Sequence, residues 1–362
     1  MIPNATTDRD KLEHTEGLLS RVQAIFSKKP FAPHRLFRGG HAQTLAAFAW
    51  PRGFRFHSET DEVRFFQTVP EVQVLAHCRW QTNRHEHPTI VIWHGIEGSS
   101  ASVYMLAMAE KGFRAGFNII RMNFRNCGGT DHLTPTLYHG GLTEDLHIVL
   151  AELIDKDQLT DLVVIGFSLG GNLILKLAGE YGDAPPKEIL GMAAVSPSVD
   201  LTASADLIQK RSNWLYQRDF VRRLKSRMRT KQQLFPELYD ISNLRQVRTL
   251  REFDDRFTAP ANGFNGAEDY YYRASSLRLA DRIRIPTLII HAEDDPFIPI
   301  APLHDPAFAD NPYILLIATR HGGHVAFVSE ELNGDVDRFW AENRVIDFAT
   351  LVTELDGKQA PV

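Results

Sequence analysis

A serine placed between two glycines, in Gly166-Phe-Ser168-Leu-Gly170, is the feature that most constrains how this chain can fold. It follows an apolar, β-branched run, 161–167, which predicts a buried strand. It precedes 169–180, where apolar residues recur at helical spacing. Larger residues in place of the glycines would clash with the neighbouring strand and helix. A serine at such a turn is presented for chemistry, so Ser168 is predicted to be a nucleophile; a serine that only caps the helix is the alternative.

A nucleophilic serine needs a base that takes its proton and an acid that orients the base. In chains with this turn, the acid and then the histidine follow the serine in sequence. The apolar run 285–291 predicts a strand, and Asp294 and Asp295 follow it, at the strand end where sites of open α/β sheets collect. We choose Asp295, because chains with this turn commonly place the acid four residues before a proline, here Pro299. Asp294 is the alternative, with a turn role expected for whichever acid is not used.

The histidine is expected in the loop that follows the predicted strand 313–318. His321 and His324 both qualify chemically. The two glycines directly before His324 would let the backbone turn its ring towards the serine. His324 is therefore the predicted base, and His321 is expected to support the loop or to face solvent.

Two backbone N–H groups are predicted to hold the oxyanion that forms during acyl transfer. One belongs to Leu169, directly after the nucleophile and at the positive end of the following helix. The other belongs to Ile96, in the loop after the predicted strand 89–93. Gly95 allows the turn, and His94 is expected to support this loop by hydrogen bonding rather than to react.

Several segments between residues 31 and 345 are together far more specific than the serine motif alone. They are Phe37-Arg-Gly-Gly-His-Ala-Gln-Thr-Leu45, His94-Gly-Ile-Glu-Gly-Ser99, Asn123-Phe-Arg-Asn-Cys-Gly-Gly129, Tyr138-His-Gly-Gly-Leu-Thr-Glu-Asp145, Gly166-Phe-Ser-Leu-Gly-Gly-Asn172, Asp269-Tyr-Tyr-Tyr-Arg-Ala-Ser-Ser276, Asp294-Asp-Pro-Phe297 and Gly322-Gly-His-Val-Ala-Phe327. In these segments the chain resembles the YheT-like hydrolases, grouped as the AB hydrolase 4 family.

This resemblance implies the α/β-hydrolase fold, with a mostly parallel central sheet, helices on both faces and an inserted helical lid. The family's catalytic triad maps onto Ser168, Asp295 and His324. Members of the family act as carboxylesterases, acylglycerol lipases or phospholipases, and some as alcohol acyltransferases. The chain departs from the family where Asn126 and Ala326 stand in place of frequent glycines, and both are expected to shape the pocket.

The order of the predicted elements indicates the same architecture. A leading pair of strands, 63–69 and 72–78, is followed by alternating strands and helices, which is typical of a mostly parallel sheet. The predicted elements are strand 89–93, helix 101–111, strand 117–122, helix 142–154, strand 161–167, helix 169–180 and strand 190–195, and, beyond the interruption described next, strands 285–291 and 313–318 and a last helix 335–355.

The alternation is interrupted by a charge-dense, helix-like segment, 200–283, which is too long for a structureless loop. We predict a helical lid inserted into a single domain, 1–362, with the lead segment 1–60 packed on the core. The lid is expected to line an acyl channel, with each residue's alternative role being to pack the lid on the core. The candidates for this lining are Trp214, Leu215, Tyr216, Phe220 and Phe264.

The composition is that of a globular protein without a nucleic-acid partner. The chain has 362 residues, 43% of them hydrophobic, and a net charge of −5, so nothing attracts a polyanion. Two cysteines are too few for a disulfide framework and indicate a reducing compartment. The polar N-terminus has no apolar signal core and no run is long enough for a membrane span, so a cytoplasmic location is expected. Residues 11–26 are partly amphipathic, and docking on the body is favoured over contact with a membrane surface.

These observations predict a serine hydrolase that cleaves carboxylic esters, from small molecules or lipids, through an acyl-enzyme on Ser168. The chemistry requires no metal or organic cofactor, and the histidines show no metal-ligand spacing. An alcohol acyltransferase that uses the same triad is one alternative. A non-catalytic ligand-binding protein on the same fold is another. The oligomeric state and the acyl and alcohol preferences are left open.

Overall fold

The computed structural model describes residues 5–52, 61–330, 332 and 334–356. An eight-stranded sheet in the order β1-β2-β4-β3-β5-β6-β7-β8 runs through its centre. β2 is antiparallel to both of its neighbours, and the other pairs are parallel. The strands are β1 Glu62–Gln67, β2 Gln73–Arg79, β3 Thr89–Trp93, β4 Asn118–Met122, β5 Leu162–Phe167, β6 Ile189–Val195, β7 Thr287–Ala292 and β8 Ile314–Thr319.

Helices follow the central strands, as the alternating sequence pattern predicts. The α-helices are α1 Ala5–Phe26, α2 Gly40–Ala49, α3 Val103–Arg114, α4 Thr143–Asp155, α5 Leu169–Tyr181, α6 Leu201–Ile208, α7 Trp214–Leu234, α8 Leu250–Phe253, α9 Ala259–Ala261, α10 Ala267–Ala274, α11 Pro306–Ala309 and α12 Trp340–Asp356. The 3-10 helices are Arg84–Glu86, Arg211–Asn213, Leu244–Gln246, Ser276–Arg282 and Ala301–His304, and Asp254–Thr258 is a π-helix.

The sheet is buried on both faces, because alternate residues of each central strand enter two different cores. In β3, Val91 and Trp93 face a core shared with α4 and α5, whereas Ile90 and Ile92 face one shared with α1, α3 and α12. Fully burying one such apolar side chain contributes about 1.5–3 kcal/mol. The predicted fold class, an α/β fold with a mostly parallel sheet and helices on both faces, is confirmed.

Between β6 and β7 the chain leaves the sheet and forms helices α6 to α10. Their apolar side chains build a smaller core of their own, with Val221, Met228 and Phe253 among its buried members. Phe297, from the loop after β7, belongs to the same core. The inserted segment is thus seated over the carboxyl end of the sheet, next to the loop that carries the two candidate acids.

Helices α1 and α12 meet on one face of the body. Leu18, Val22 and Phe26 of α1 are buried, and Phe26 contacts Trp340 of α12 edge to face. The predicted last helix, 335–355, starts too early: the helix begins at Trp340. Residues 336–338 form a bend, and Phe339 pairs with Val328 in an isolated β-bridge, so the helix cannot start before Trp340. Residues 1–4 and 53–60 of the predicted lead segment lie outside the described residues.

Candidate active site

Ser168 occupies a strained turn between β5 and α5. Its backbone has φ 53° and ψ −116°, a combination that non-glycine residues rarely adopt. Its N–H donates to Val195 O at 2.9 Å, and its carbonyl accepts from Asn172 N at 3.1 Å. Strain of this kind persists only where the surroundings hold it, and it clusters at functional sites.

The glycines that flank Ser168 are required by close backbone contacts. A Cβ on Gly166 would lie 2.3 Å from Gly170 O, and a Cβ on Gly170 would lie 2.5 Å from His94 O. Both distances are far below van der Waals contact. The helix start, the strand and the loop after β3 can therefore approach one another only because these positions carry no side chain.

His324 and Asp295 form a direct pair. His324 Nδ1 lies 2.8 Å from Asp295 Oδ2, and the carboxylate is buried. Asp295 Oδ1 also accepts from the N–H groups of Phe297 and Ile298 at 2.8 and 3.1 Å. Burial alone would raise the pKa of Asp295, but the charge and hydrogen bond of His324, together with His291 and the N–H of Phe297, outweigh burial and lower this pKa. An ionised Asp295 accepts only, so Nδ1 carries the ring proton and Nε2 is the basic nitrogen.

The neighbouring acid and histidine form a second, separate pair. Asp294 Oδ2 lies 3.0 Å from His321 Nδ1, and Asp294 Oδ1 accepts from Gly323 N at 2.9 Å. His321 and Asp294 are both more exposed than Asp295. Asp294 thus stabilises the loop after β8 that carries both histidines, hereafter the histidine loop. Asp295 instead contacts the ring of His324, which lines the same cavity as Ser168.

The histidine loop also rests on α2, a contact that the sequence analysis did not predict. Thr44 Oγ1 accepts from His324 N at 2.9 Å and donates to Gly40 O at 2.7 Å. Gln43 Oε1 accepts from Val328 N at 2.8 Å. In the sequence, segment 37–45 indicates only the family resemblance, and its polar Gln-Thr pair is the signal that points to this supporting role.

A buried asparagine joins three of the quoted segments. Asn172 Nδ2 donates to Gly140 O and Ala274 O, each at 2.9 Å, and Asn172 Oδ1 accepts from Ser276 N at 2.8 Å. One side chain one turn after Ser168 thus fixes the loop before α4 and the turn after α10. Both of these segments lie beside the cavity described below.

The loop after β3 lies directly against the serine. A Cβ on Gly95 would be 3.0 Å from Ser168 Cβ, so this loop brings Ile96 beside Ser168. His94 Nε2 accepts from Phe124 N at 3.1 Å, which leaves Nδ1–H to donate to Gly95 O at 2.7 Å. Burial lowers the pKa of His94 to about 4, so the ring is neutral and supports the loop. Leu169 begins α5, where the first N–H groups have no partner within the helix.

A largely apolar cavity opens over Ser168, Leu169, Ile96 and His324. Its wall combines residues of the loop after β4, the inserted segment and the loop after β7. The wall includes Leu137, Tyr138, Phe220, Arg227, Asp254 and Phe297.

Of the five apolar residues predicted to line an acyl channel, Phe220 lies on the cavity wall. The prediction was wrong for Trp214 and Leu215, which are 55% and 68% exposed at the outer start of α7. Tyr216 packs between His41 and Phe297. Phe264 packs edge to face on His139 and against Tyr270. Helical periodicity alone does not tell which face of α7 turns inwards, and this caused the error.

Asp254 is a buried acid on the cavity wall that the sequence analysis missed. It accepts a hydrogen bond from Tyr271 Oη at 2.7 Å. Burial raises the pKa of Asp254 to about 6, against the opposing effect of that hydrogen bond. It stands at the start of the π-helix, an element that occurs often at functional sites.

The remaining candidates are structural in character. Cys78 and Cys127 are buried and unpaired, and burial raises the pKa of each thiol to about 12, so both stay protonated. Asn126 adopts φ 62°, a left-handed conformation that asparagine tolerates better than most residues. This explains why asparagine can stand where the family often has glycine. Within the described ranges, no group of three or more His, Cys, Asp or Glu residues is arranged to hold a metal ion. None of the helices in the described part of the chain is both long and apolar enough to cross a bilayer.

Comparison with known proteins identifies the family. The model of the alpha/beta hydrolase fold matches residues 88–331. The chain is similar to YheT of Escherichia coli (strain K12), with 32% identity over 91% of this chain and 95% of that protein. The chain therefore belongs to the α/β-hydrolase fold family and, within it, to the YheT-like AB hydrolase 4 group, as its sequence segments predicted.

One further relative and one solved structure extend the comparison. Phospholipase ABHD3 of Mus musculus is 30% identical over 67% of this chain and 58% of its own length, so the chain spans little more than half of that relative. The Pyrococcus furiosus esterase Pf2001 superposes with a TM-score of 0.52 at 18% identity, covering 83% of this chain and 98% of the esterase, and this likeness shows the fold. The relatives by sequence are thus hydrolases of the esterase and lipase type.

Proposed function

We propose that this protein is a serine hydrolase that cleaves carboxylic esters through an acyl-enzyme on Ser168. His324 Nε2 removes the proton of Ser168 as Oγ attacks the acyl carbon. Asp295 holds the imidazole in the required tautomer and stabilises its positive charge. The alcohol leaves with the proton from His324, and water then attacks the acyl-enzyme by the same route in reverse.

The single observation that carries the proposal is the pairing of His324 with the buried Asp295 at 2.8 Å, beside a serine held in a strained turn. A protein that only binds ligands has no need for a buried, ionised acid behind a histidine. The N–H groups of Leu169 and Ile96 are proposed to hold the oxyanion, because both residues line the cavity at Ser168.

The substrate is proposed to be a small-molecule or lipid ester with an apolar acyl group. The cavity wall is mainly aliphatic and aromatic, as expected for an acyl chain. The inserted segment 200–283 would act as the lid that selects acyl length, since Phe220 and Leu224 of α7 reach the cavity. A cytoplasmic location is supported by the two unpaired cysteines.

Transfer of the acyl group to an alcohol is the second candidate, because the acyl-enzyme would be the same and only the acceptor would differ. Product analysis in the presence of ethanol separates the two reactions. Release of free acid as the main product supports hydrolysis, whereas dominant formation of the ethyl ester at low ethanol concentration supports acyl transfer.

Hydrolysis of p-nitrophenyl butyrate by the purified protein and by Ser168→Ala tests the proposal. We expect the variant to stay folded and to lose activity by a factor on the order of 10⁴ or more. Ser226→Ala is the matched control, because Ser226 is exposed on α7. Activity of Ser168→Ala within tenfold of the wild type would exclude Ser168 as the nucleophile.

A further inference from the structure

The loop that carries Ile96 contains a strained turn of its own. Gly98 N donates to Gly95 O at 3.1 Å, so Ile96 and Glu97 are the central residues of a tight turn. Glu97 has φ 53°, at a turn position where a positive φ normally calls for glycine or asparagine. Because this hydrogen bond closes the turn, contacts that stabilise the conformation of Glu97 also orient the N–H of the neighbouring Ile96.

Two side chains hold Glu97. Tyr138 Oη accepts from Glu97 N at 3.0 Å and donates to Glu97 Oε1 at 2.9 Å, which ties the backbone to its own carboxylate. Arg227 binds this carboxylate in a bidentate manner: Nε donates to Oε1 at 3.0 Å and Nη2 donates to Oε2 at 3.2 Å. The Glu97 side chain is only 5% exposed, so solvent screens the pair little.

Arg227 comes from the inserted segment, 130 residues away in sequence. It lies on α7, and its Nη1 also donates to Asp131 at 3.3 Å. One turn further along α7, Lys231 Nζ donates to Asp131 O at 3.0 Å. One face of α7 is thus fixed to the loop after β3, through Glu97, and to the loop after β4, through Asp131. The two carboxylates offset the charge of Arg227, which makes it a poor site for an anionic headgroup.

We propose that Arg227 is a positioning residue that couples the inserted segment to the oxyanion hole. Its hydrogen bonds to the Glu97 carboxylate stabilise the strained turn. The turn then orients the N–H of Ile96 towards the developing oxyanion. Ester hydrolysis therefore depends on α7 being docked, and its undocking switches the oxyanion hole off while Ser168, His324 and Asp295 stay in place. This inference rests on the proposed function.

The test compares Arg227→Met and Arg227→Lys with the wild type on a neutral ester, p-nitrophenyl butyrate. We expect kcat of Arg227→Met to fall by about 10- to 100-fold, because small displacements of catalytic groups have effects of this size. KM should stay within about threefold of the wild-type value. Arg227→Lys keeps the buried charge but loses the fork, so an intermediate kcat is expected. Arg223→Met, one turn earlier on α7 and paired with Asp219, is the control and keeps wild-type kinetics.

A trifluoromethyl ketone supplies the readout that a purely structural role would not move. Its adduct with the serine carries an oxyanion, so its inhibition constant should rise by the same factor as kcat falls. Each rate is divided by the concentration of sites that react with a fluorophosphonate, which removes any effect of unfolded protein. If Arg227→Met fails to fold, the lysine variant supplies the same comparison.

A double-mutant cycle with Glu97→Gln identifies the route of the effect. Because Arg227 acts through Glu97, the double variant should be no slower than the slower single variant. Multiplicative losses, a change confined to KM, or unchanged inhibitor affinity would each overturn the role of Arg227. The proposed function would still stand if the wild type hydrolyses the ester and Ser168→Ala does not; if the wild type does not hydrolyse it, both fall.

Discussion

The side-chain oxygen of Thr44 accepts a hydrogen bond from the backbone N–H of His324 at 2.9 Å, although 280 residues separate them. Thr44 is buried on α2, and Gly323, next to His324, packs against the same helix: a Cβ on Gly323 would lie 2.5 Å from Gly40 O. The segment before the sheet is therefore part of the site, because it fixes the backbone from which the proposed base projects.

Replacing Thr44 by valine should impair catalysis more than binding. The variant keeps the shape of the side chain but leaves the N–H of His324 without its acceptor, at a cost of about 1–3 kcal/mol. We expect kcat to fall about tenfold or more, since small displacements of the base are costly. Thr44→Ser should restore most of the activity. Thr353→Val on α12 is the matched control, and equal kinetics for both valine variants would refute the role of Thr44.

The two neighbouring acids should differ sharply in their effect on kcat. Asp295→Asn favours the wrong tautomer of His324, so a loss on the order of 10⁴-fold is expected. Asp294→Asn removes a brace of the histidine loop and should cost far less. Steady-state kinetics of the two folded variants decide the matter, and the reverse ranking would show that Asp294 is the catalytic acid.

Phe220 should contribute to the choice of acyl length. Phe220→Ala enlarges the cavity, so the ratio of kcat/KM for p-nitrophenyl octanoate to that for the acetate should rise, by about tenfold if two methylenes gain burial. Trp214→Ala, on the same helix but exposed, should leave the ratio unchanged. A ratio that is the same in both variants would remove α7 from the selection of substrates.

Asp254 should make the protein less stable as the pH rises. Its folded pKa, about 6, lies above the ordinary aspartate value of 3.8, so the folded state holds the proton more tightly. The resulting stabilisation is fully present below pH 3.8 and is lost as the pH rises through 6, amounting to ~3 kcal/mol.

Urea unfolding of the wild type and Asp254→Asn between pH 4 and 8 measures this effect. The stability of the variant relative to the wild type should increase over this range, because the variant has no proton to lose. Asp310→Asn, at an exposed position, provides the control for the general effect of removing a carboxylate. A difference between variant and wild type that does not change with pH would show that Asp254 titrates normally.

The sequence predicted the parts of the molecule that are written in local patterns. Apolar β-branched runs identified the central strands, and β7 starts later than predicted, at Thr287, because Pro286 has no N–H to pair in a sheet ladder. The glycines around Ser168 indicated the tight turn. Pro299 and the two glycines before His324 favoured Asp295 and His324, which the structure brings together.

Other features of the site depend on contacts between segments far apart in sequence, and local sequence patterns do not predict such contacts. The hydrogen bond between Thr44 and His324 and the ion pair between Arg227 and Glu97 each join a helix to a loop far away in sequence. The exposed position of Trp214 is a similar case, because the rotation of α7 is set by the core that the inserted segment forms with the loop after β7.

Mapping the residue that a fluorophosphonate modifies tests the central claim most directly. The wild type is labelled to completion, digested and analysed by tandem mass spectrometry. We predict one adduct, on Ser168, that an ester substrate competes away, with slow labelling in His324→Ala and none in Ser168→Ala. An adduct on any other residue, or labelling of Ser168→Ala equal to that of the wild type, would contradict the assignment of Ser168 as the nucleophile.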